Sequence, residues 1–354
     1  MIIGIHPDDN AMDNYSCKWE QFLRARGVGT RTLDLLAPDA LDQARGCDGV
    51  MWRWLHLPQD KQSAQRILFV IEHCLRIPVF PDLSTSWHFD EKIAQYYLLE
   101  ALGAPTPKTW LFWDRERAVS WAREAAYPAV FKFSCGAGSA NVILASTQAQ
   151  AMKLIRRAFT TGCYPYLMNE YRRPRGLAML AHPLEAAMRV RDSLRYIWSA
   201  EYPLPNTSWW RPERGYVYFQ EFLAGNAFDT RISVIGNRAF GFRRFNRSGD
   251  FRASGSGDLS ADPAAVDQRC IRIAFQISER GKFQSMAYDF LLKDGAPVIV
   301  EISYGFVDSA VQNCPGHWEL QGAADNGVIA WKEGAMWPEE AQVEDFLPTI
   351  AARQ

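Results

Sequence analysis

The chain has 354 residues, is 48% hydrophobic and 22% charged, and carries a formal net charge of −1. That length allows two or three packed domains, and the balanced charge supplies no global field toward nucleic acid or an anionic membrane. No run of eighteen apolar residues occurs, which argues against a membrane span, and the opening MIIGIHPDD has neither the basic region nor the long apolar stretch of a signal peptide.

The first third alternates short apolar runs with amphipathic stretches. Strands are expected over 2–5, 30–35, 48–54 and 77–80, with helices over 16–26, stopped by Gly27, and over 61–75. This alternation predicts a parallel sheet with right-handed crossovers. No GxGxxG follows the first strand, so a nicotinamide site is not expected in this Rossmann-like domain. A linking helix over 91–102, capped by Asp90, ends at Gly103, and Pro105 and Pro107 prevent its continuation. A strand (109–112), a helix (115–125), a strand (128–133), the turn SCGAGSAN, a strand (142–145) and a helix (147–158) come next. Residues 159–214 break this rhythm and read as an insertion. From Tyr216 the pattern turns to β, with YVYFQEFL, DTRISVIG and RAFGFRRF joined by glycine-containing turns. A polar loop (248–258), a helix (263–280) and the hairpin SMAYDFLL–KDGA–PVIVEIS complete it before a short tail from 318. The fold class is therefore α/β plus α+β, with expected domains 1–87, 88–317 (insertion at about 159–214) and 318–354.

Seven cysteines at scattered spacings, with no CxxC, suit reduced thiols in a cytoplasmic protein. Six histidines without HxxxH pairing make a zinc site an unattractive reading. Four other elements carry chemistry. Lys132 interrupts an apolar strand, where its charge needs an anion, and the small residues after it, Ser134, Gly136, Gly138 and Ser139, let backbone N–H groups wrap a phosphate. Taken alone, a plain hairpin turn with the lysine tip in water explains this stretch as well. The strand through Gln220, Glu221, Phe222 and Leu223 offers an edge backbone for a purine, though alone it is simply a strand. Asp289 and Glu301 interrupt apolar hairpin strands, with Ser303 on the face of Glu301 by the two-residue period. Buried acids need cations, and such oxygens suit Mg²⁺; the alternative is a half-exposed sheet face. Finally, Arg231, Arg243, Arg244, Arg247 and Arg252 supply forks that match phosphate and carboxylate oxygens, or else form a basic surface loop.

In order, Lys92 in FDEKIAQYYLLEALGAPTPKT, Lys132 and its glycine turn, QEFLAGNAFDTR, the Arg243–Arg244 pair and the D…EIS hairpin resemble the ATP-grasp superfamily over roughly 88–306. The D-x-R at 229–231 is similar to the ribosomal-protein glutamate ligase and glutathione synthetase branch. EISYGF followed by CPGHW is more weakly similar to ATP-grasp proteins of surface-glycan synthesis. The resemblance implies a Rossmann-like domain followed by two lobes that hold ATP. It assigns Lys92 and Lys132 to the phosphates, the backbone of Gln220–Leu223 to adenine, Asp229 to the ribose, and Asp289, Glu301 and Ser303 to Mg²⁺ or Mn²⁺. Asparagine is usual at the position of Ser303, which puts a second metal in question. It implies an ADP-forming carboxylate–amine ligase working through an acyl phosphate, with Arg244, or Arg231 in reserve, as the catalytic arginine. Phosphotransfer, carboxylate–thiol ligation and a non-catalytic ATP-binding role are the competing outcomes.

The implied partners are a small-molecule carboxylate and an amine: amino acids, peptides or uronic-acid-type sugars. Related enzymes are often dimers or tetramers, so a homodimer is one expected assembly. The insertion is read either as shaping the acceptor site or as a lid or dimer contact. Trp209, Trp210, Trp318, Trp331 and Trp337 are read either as stacking surfaces for a ring substrate or as core.

Overall fold

A computed structural model describes residues 1–8, 14–136, 142–162, 213–247, 249–253 and 257–352. They form two compact units: 1–109 together with 223–354, and 110–222 between them in the chain. These bounds differ from the three consecutive domains expected from the sequence.

The larger unit begins with β1 (Ile2–Ile5), α1 (Tyr15–Ala25), β2 (Gly29–Thr32), α2 (Ala40–Arg45), β3 (Gly49–Met51), α3 (Pro58–His73), β4 (Val79–Phe80), α4 (Leu83–Ser86) and α5 (Lys92–Ala101). The strands pair in parallel in the order β2-β1-β3-β4. Helix α1 starts where the Asp8 carboxylate accepts the N–H groups of Tyr15 (3.0 Å) and Ser16 (3.2 Å), which satisfies two orphan donors of its first turn. Its Tyr15, Trp19 and Leu23, at four-residue spacing, form the buried stripe. Pro58 opens α3 at a position where the missing N–H costs nothing. Asp90 does not cap α5: it adopts a left-handed φ of 49°, and Glu91 takes the cap position with no side-chain capping bond to the helix.

The smaller unit contains β5 (Thr109–Phe112), α6 (Arg115–Glu124), β6 (Ala129–Lys132), β7 (Val142–Ala145), α7 (Gln148–Ala158) and β8 (Val217–Glu221). Its strand order is β5-β8-β6-β7. Asp114 and Thr147 cap the two helices by accepting from Arg117 N (2.8 Å) and Gln150 N (3.3 Å). Ala118 and Ala122 of α6 and Ala151, Ile155 and Ala158 of α7 close over Ala129, Phe131, Val217 and Phe219. By strand alternation, Val130 and Lys132 then point to the opposite face.

The chain returns to the larger unit with β9 (Phe228–Ile235), β10 (Arg238–Phe245), β11 (Leu259–Ser260), α8 (Gln268–Gly281), β12 (Ser285–Lys293), β13 (Ala296–Ser303), α9 (Asp308–Gln312), β14 (Gly316–Gln321), β15 (Val328–Glu333) and α10 (Pro338–Ala351). An antiparallel seven-stranded sheet runs β13-β12-β9-β10-β14-β15, with β11 beside β10. Its apolar face, through Ile232, Val234, Tyr288 and Ile302, packs on Ile271, Ala274 and Phe275 of α8.

The segment expected as a tail is therefore two sheet strands and a helix. Trp318 is buried against Trp331 (ring centroids 4.8 Å apart), so these two tryptophans are packing residues, while Trp209 and Trp210 lie outside the described residues. Val343, Phe346 and Ile350 of α10 complete the core formed by Ile3, Trp19, Leu23 and Phe80. At the junction, Lys18 of α1 pairs with Asp308 of α9, lies 3.5 Å from Glu339 of α10, and rests 3.6 Å from the Trp337 ring centroid. Glu339 is fully buried, and burial, reinforced by the Asp308 charge, pushes its carboxyl up to about 8.

Candidate functional site

In the larger unit the candidate residues lie on one face of the antiparallel sheet. Register sets Asp289 directly opposite Glu301 on one side and Arg231 on the other, and Asp229 opposite Arg244. Directly opposed residues share a face, as do residues two apart on a strand. Glu301, Asp289, Arg231, Asp229 and Arg244 therefore form a charged row across four strands, with Ser303 beyond Glu301.

The row is tightly paired. Arg231 grips Asp289 bidentately (Nε–Oδ1 2.6 Å, Nη2–Oδ2 2.8 Å). Arg244 grips Asp229 in the same way (2.7 and 2.6 Å), and its Nη2 also lies 2.6 Å from Asp289 Oδ2. Burial alone would push the Asp289 carboxyl up, but the two guanidinium groups outweigh it and hold Asp289 well below the usual carboxylate range. Burial and the adjacent Asp289 charge push Asp229 up, against the pull of Arg244. Two acids and two arginines make this cluster formally neutral, which is how the three buried charges of Asp229, Asp289 and Arg244 are tolerated beside half-buried Arg231. Neither arginine uses Nη1 in these pairs.

Lys92, buried at the first residue of α5, lies 3.3 Å from Glu301. Gln95, one turn on, donates to the Ile302 carbonyl (2.8 Å) and so docks the helix on β13. Glu301 itself is 38% exposed. The Ser303 hydroxyl donates to the Gly305 carbonyl (2.7 Å), which turns it toward its own loop. Arg243 points to the other face, over the Phe228 ring, and Arg252 forks onto Asp250.

In the smaller unit, Lys132 ends β6 opposite Tyr218 of β8 and Val142 of β7, on the face away from α6 and α7. Gln220 shares that face, and its Nε2 lies 3.4 Å from the Tyr218 hydroxyl. Glu221 closes β8, and Phe222 and Leu223 straddle the division between the units. The Ser134 N–H donates to the Tyr216 hydroxyl (2.8 Å), while the buried Ser134 Oγ has no partner among the described residues. Gly136 has a φ of 127°, open to glycine alone, and Gly138 and Ser139 lie outside the described residues.

No protein-family model matches the sequence, and no curated protein matches it. The fold is similar to that of D-cycloserine synthetase DcsG: TM-score 0.59, 11% identity, 99% of this chain and 100% of that one covered. It is also similar to the D-alanine–D-alanine ligase of Bacillus anthracis complexed with ATP (0.55, 11%, 100% and 97%) and to a RimK-domain ATP-grasp protein of Sphaerobacter thermophilus (0.50, 17%, 85% and 90%). The chain has the ATP-grasp fold.

The donor set of the charged row fits a hard divalent cation. Asp289 and Glu301 offer only oxygen, as Mg²⁺ prefers, and Mg²⁺ is ordinarily held by one or two carboxylates together with phosphates. No cluster of three or more potential metal ligands of the His, Cys, Asp and Glu type occurs among the described residues. A carboxylate accepts at about four lone-pair positions. The arginine contacts above occupy Oδ1 once and Oδ2 twice, which leaves Oδ1 with acceptor capacity.

The arginine partners of the two aspartates were the part that sequence reasoning missed. The signal was present as an acid and a base two apart in DTR, with a further arginine, Arg244, in FRRF.

Proposed function

We propose that this protein is an ATP- and Mg²⁺-dependent ligase that joins a carboxylate to an amine through an acyl phosphate. The observation that carries this reading is the charged row Glu301–Asp289–Arg231–Asp229–Arg244 on one sheet face of an ATP-grasp fold. Solved relatives of that fold include a D-alanine–D-alanine ligase and a ligase, PsnB, in complex with its precursor peptide and AMPPNP.

In this reading a substrate carboxylate oxygen attacks the γ-phosphorus of ATP and ADP leaves. The amine nitrogen then attacks the acyl carbon, phosphate leaves, and the nitrogen loses a proton. The chain's task is to neutralise phosphoryl charge and hold the reactants in line. Asp289 and Glu301 would hold Mg²⁺ or Mn²⁺, with Ser303 a weaker third oxygen; when bound, the metal supplies charge neutralisation at phosphate oxygens. Lys132 and Lys92 bind phosphates, Ser134 and Gly136 with Gly138 and Ser139 cradle them, the backbone over Gln220–Leu223 takes adenine, and Asp229 serves the ribose. Asp229 is also the buried anchor of Arg244, so its ribose role requires sharing that carboxylate. Arg244, fixed by two acids on its Nε and Nη2 edge, keeps Nη1 for the developing acyl phosphate, with Arg231 as its alternate.

The test is ADP release by purified protein with ATP and Mg²⁺ against pooled carboxylates and amines (amino acids, peptides, uronic acids), followed by mass spectrometry. The expected product is the sum of one acid and one amine minus water. A stable phosphorylated product formed without an amine would replace this reading with a kinase, and ATP binding without turnover in any pool would replace it with a binding role.

A further inference from the structure

The smaller unit holds a tyrosine–glutamate pair to which the reaction above gives no role. Tyr216, just before β8, is buried. Its hydroxyl accepts the Ser134 N–H at 2.8 Å and donates to Glu213 Oε2 at 2.5 Å. The other oxygen of Glu213, Oε1, takes the Cys135 thiol at 3.2 Å. Ser134 and Cys135 are the second and third residues after Lys132, at the mouth of the glycine-containing turn. A single carboxylate thus fixes two consecutive residues of that turn, one directly and one through the tyrosine. Burial, with the Glu213 charge, raises the Tyr216 hydroxyl and keeps it a neutral donor. Ser134 Oγ is buried without a partner among the described residues, and a buried hydroxyl without a partner is costly unless a ligand completes it.

We propose that Tyr216, held by Glu213, is a positioning residue that sets the backbone at Ser134 and Cys135, so that Ser134 Oγ is pre-arranged to receive the phosphates of ATP. This rests on the reading of Lys132 and its turn as the phosphate site. Preorganisation lowers the ordering cost of binding, so its loss appears in affinity before it appears in chemistry.

Tyr216→Phe keeps the ring and removes the hydroxyl. It is expected to weaken ATP binding in Mg²⁺ by about tenfold, about 1.4 kcal/mol, read as Kd by calorimetry and as KM. The kcat at saturating ATP stays within about threefold, because binding and not the transition state has lost its support. Amide hydrogen exchange over 131–136 should speed up at least about tenfold in the same variant. Glu213→Ala, which keeps the tyrosine, should behave alike, whereas Glu213→Gln, which keeps an acceptor for the hydroxyl, should restore ATP affinity to within about twofold of wild type. That rescue and the split between KM and kcat would not follow from a purely structural role. Wild-type protein that binds ATP with a Tyr216→Phe variant that binds it equally well overturns the latch alone. Wild-type protein that binds no ATP, with the exchange effect intact, overturns the phosphate-site reading and the latch's function with it.

Discussion

Glu339 makes a quantitative claim about pH. Its carboxyl is fully buried beside Asp308 and Lys18 and sits at about 8 in the folded protein, against an ordinary 4.5. A carboxyl raised on folding binds its proton more tightly in the native state, so the native state is favoured at low pH. This contribution is complete below the unfolded value near 4.5 and is lost as pH rises from there through about 8. At about 1.4 kcal/mol per pH unit, the loss amounts to about 5 kcal/mol across that window. At about 2 °C per kcal/mol for a domain of this size, the melting temperature would fall by about 10 °C from this group alone. Glu339→Gln replaces the protonated acid with a neutral group of the same shape and removes the titration. Thermal melts of both proteins between pH 4.5 and 9 should agree at the acid end and diverge as pH rises, with the variant more stable at pH 8.5. Comparing the two curves cancels the other titrating groups. Parallel curves across the window would show that Glu339 is already ionised in the folded protein and would refute the argument.

Two further substitutions probe the rest of the molecule. Arg244→Ala leaves Asp229 and Asp289 buried with a single arginine between them, so it should cost about 3–5 kcal/mol of stability in denaturant titration and, where ATP still binds, at least about a hundredfold in turnover; native stability would contradict the pairing, and near-normal turnover the catalytic role. Phe346→Ala should destabilise the larger unit by about 3–5 kcal/mol, as expected for emptying a fully buried aromatic site, and a neutral result by thermal melting would mean that α10 does not share the core of β1 and α1.

Much of the secondary structure was legible because it is written locally. The strands at 2–5, 109–112 and 142–145 coincide with apolar runs, and α1 begins one residue before the start expected from its periodicity. The charged row was half legible. Acids interrupting SMAYDFLL and PVIVEIS announced that a cation was needed, and the sequence argument supplied a metal. The structure supplies Arg231 and Arg244 as well, because β9 lies between β12 and β10. Residues 231 and 289 are neighbours only through that order, and no local pattern encodes it. The segment from 318 onward was misjudged for a compositional reason. Trp318 and Trp331 could be read as a substrate platform or as core, and as cross-strand partners in register on β14 and β15 they take the packing role. Asp90 had the chemistry of a helix cap but not the backbone for it, since its left-handed φ places Glu91 at that position.

The discontinuity of the larger unit has a consequence for biosynthesis. Val343, Phe346 and Ile350, which cover Ile3, Trp19 and Leu23, are synthesised more than three hundred residues after them. At about 5–20 residues per second, the nascent amino-terminal segment exposes apolar surface for tens of seconds, whereas the smaller unit, continuous from 110 to 222, can close its own core during elongation. Every residue of the smaller unit's core is thus synthesised before the residues that cover Ile3, Trp19 and Leu23.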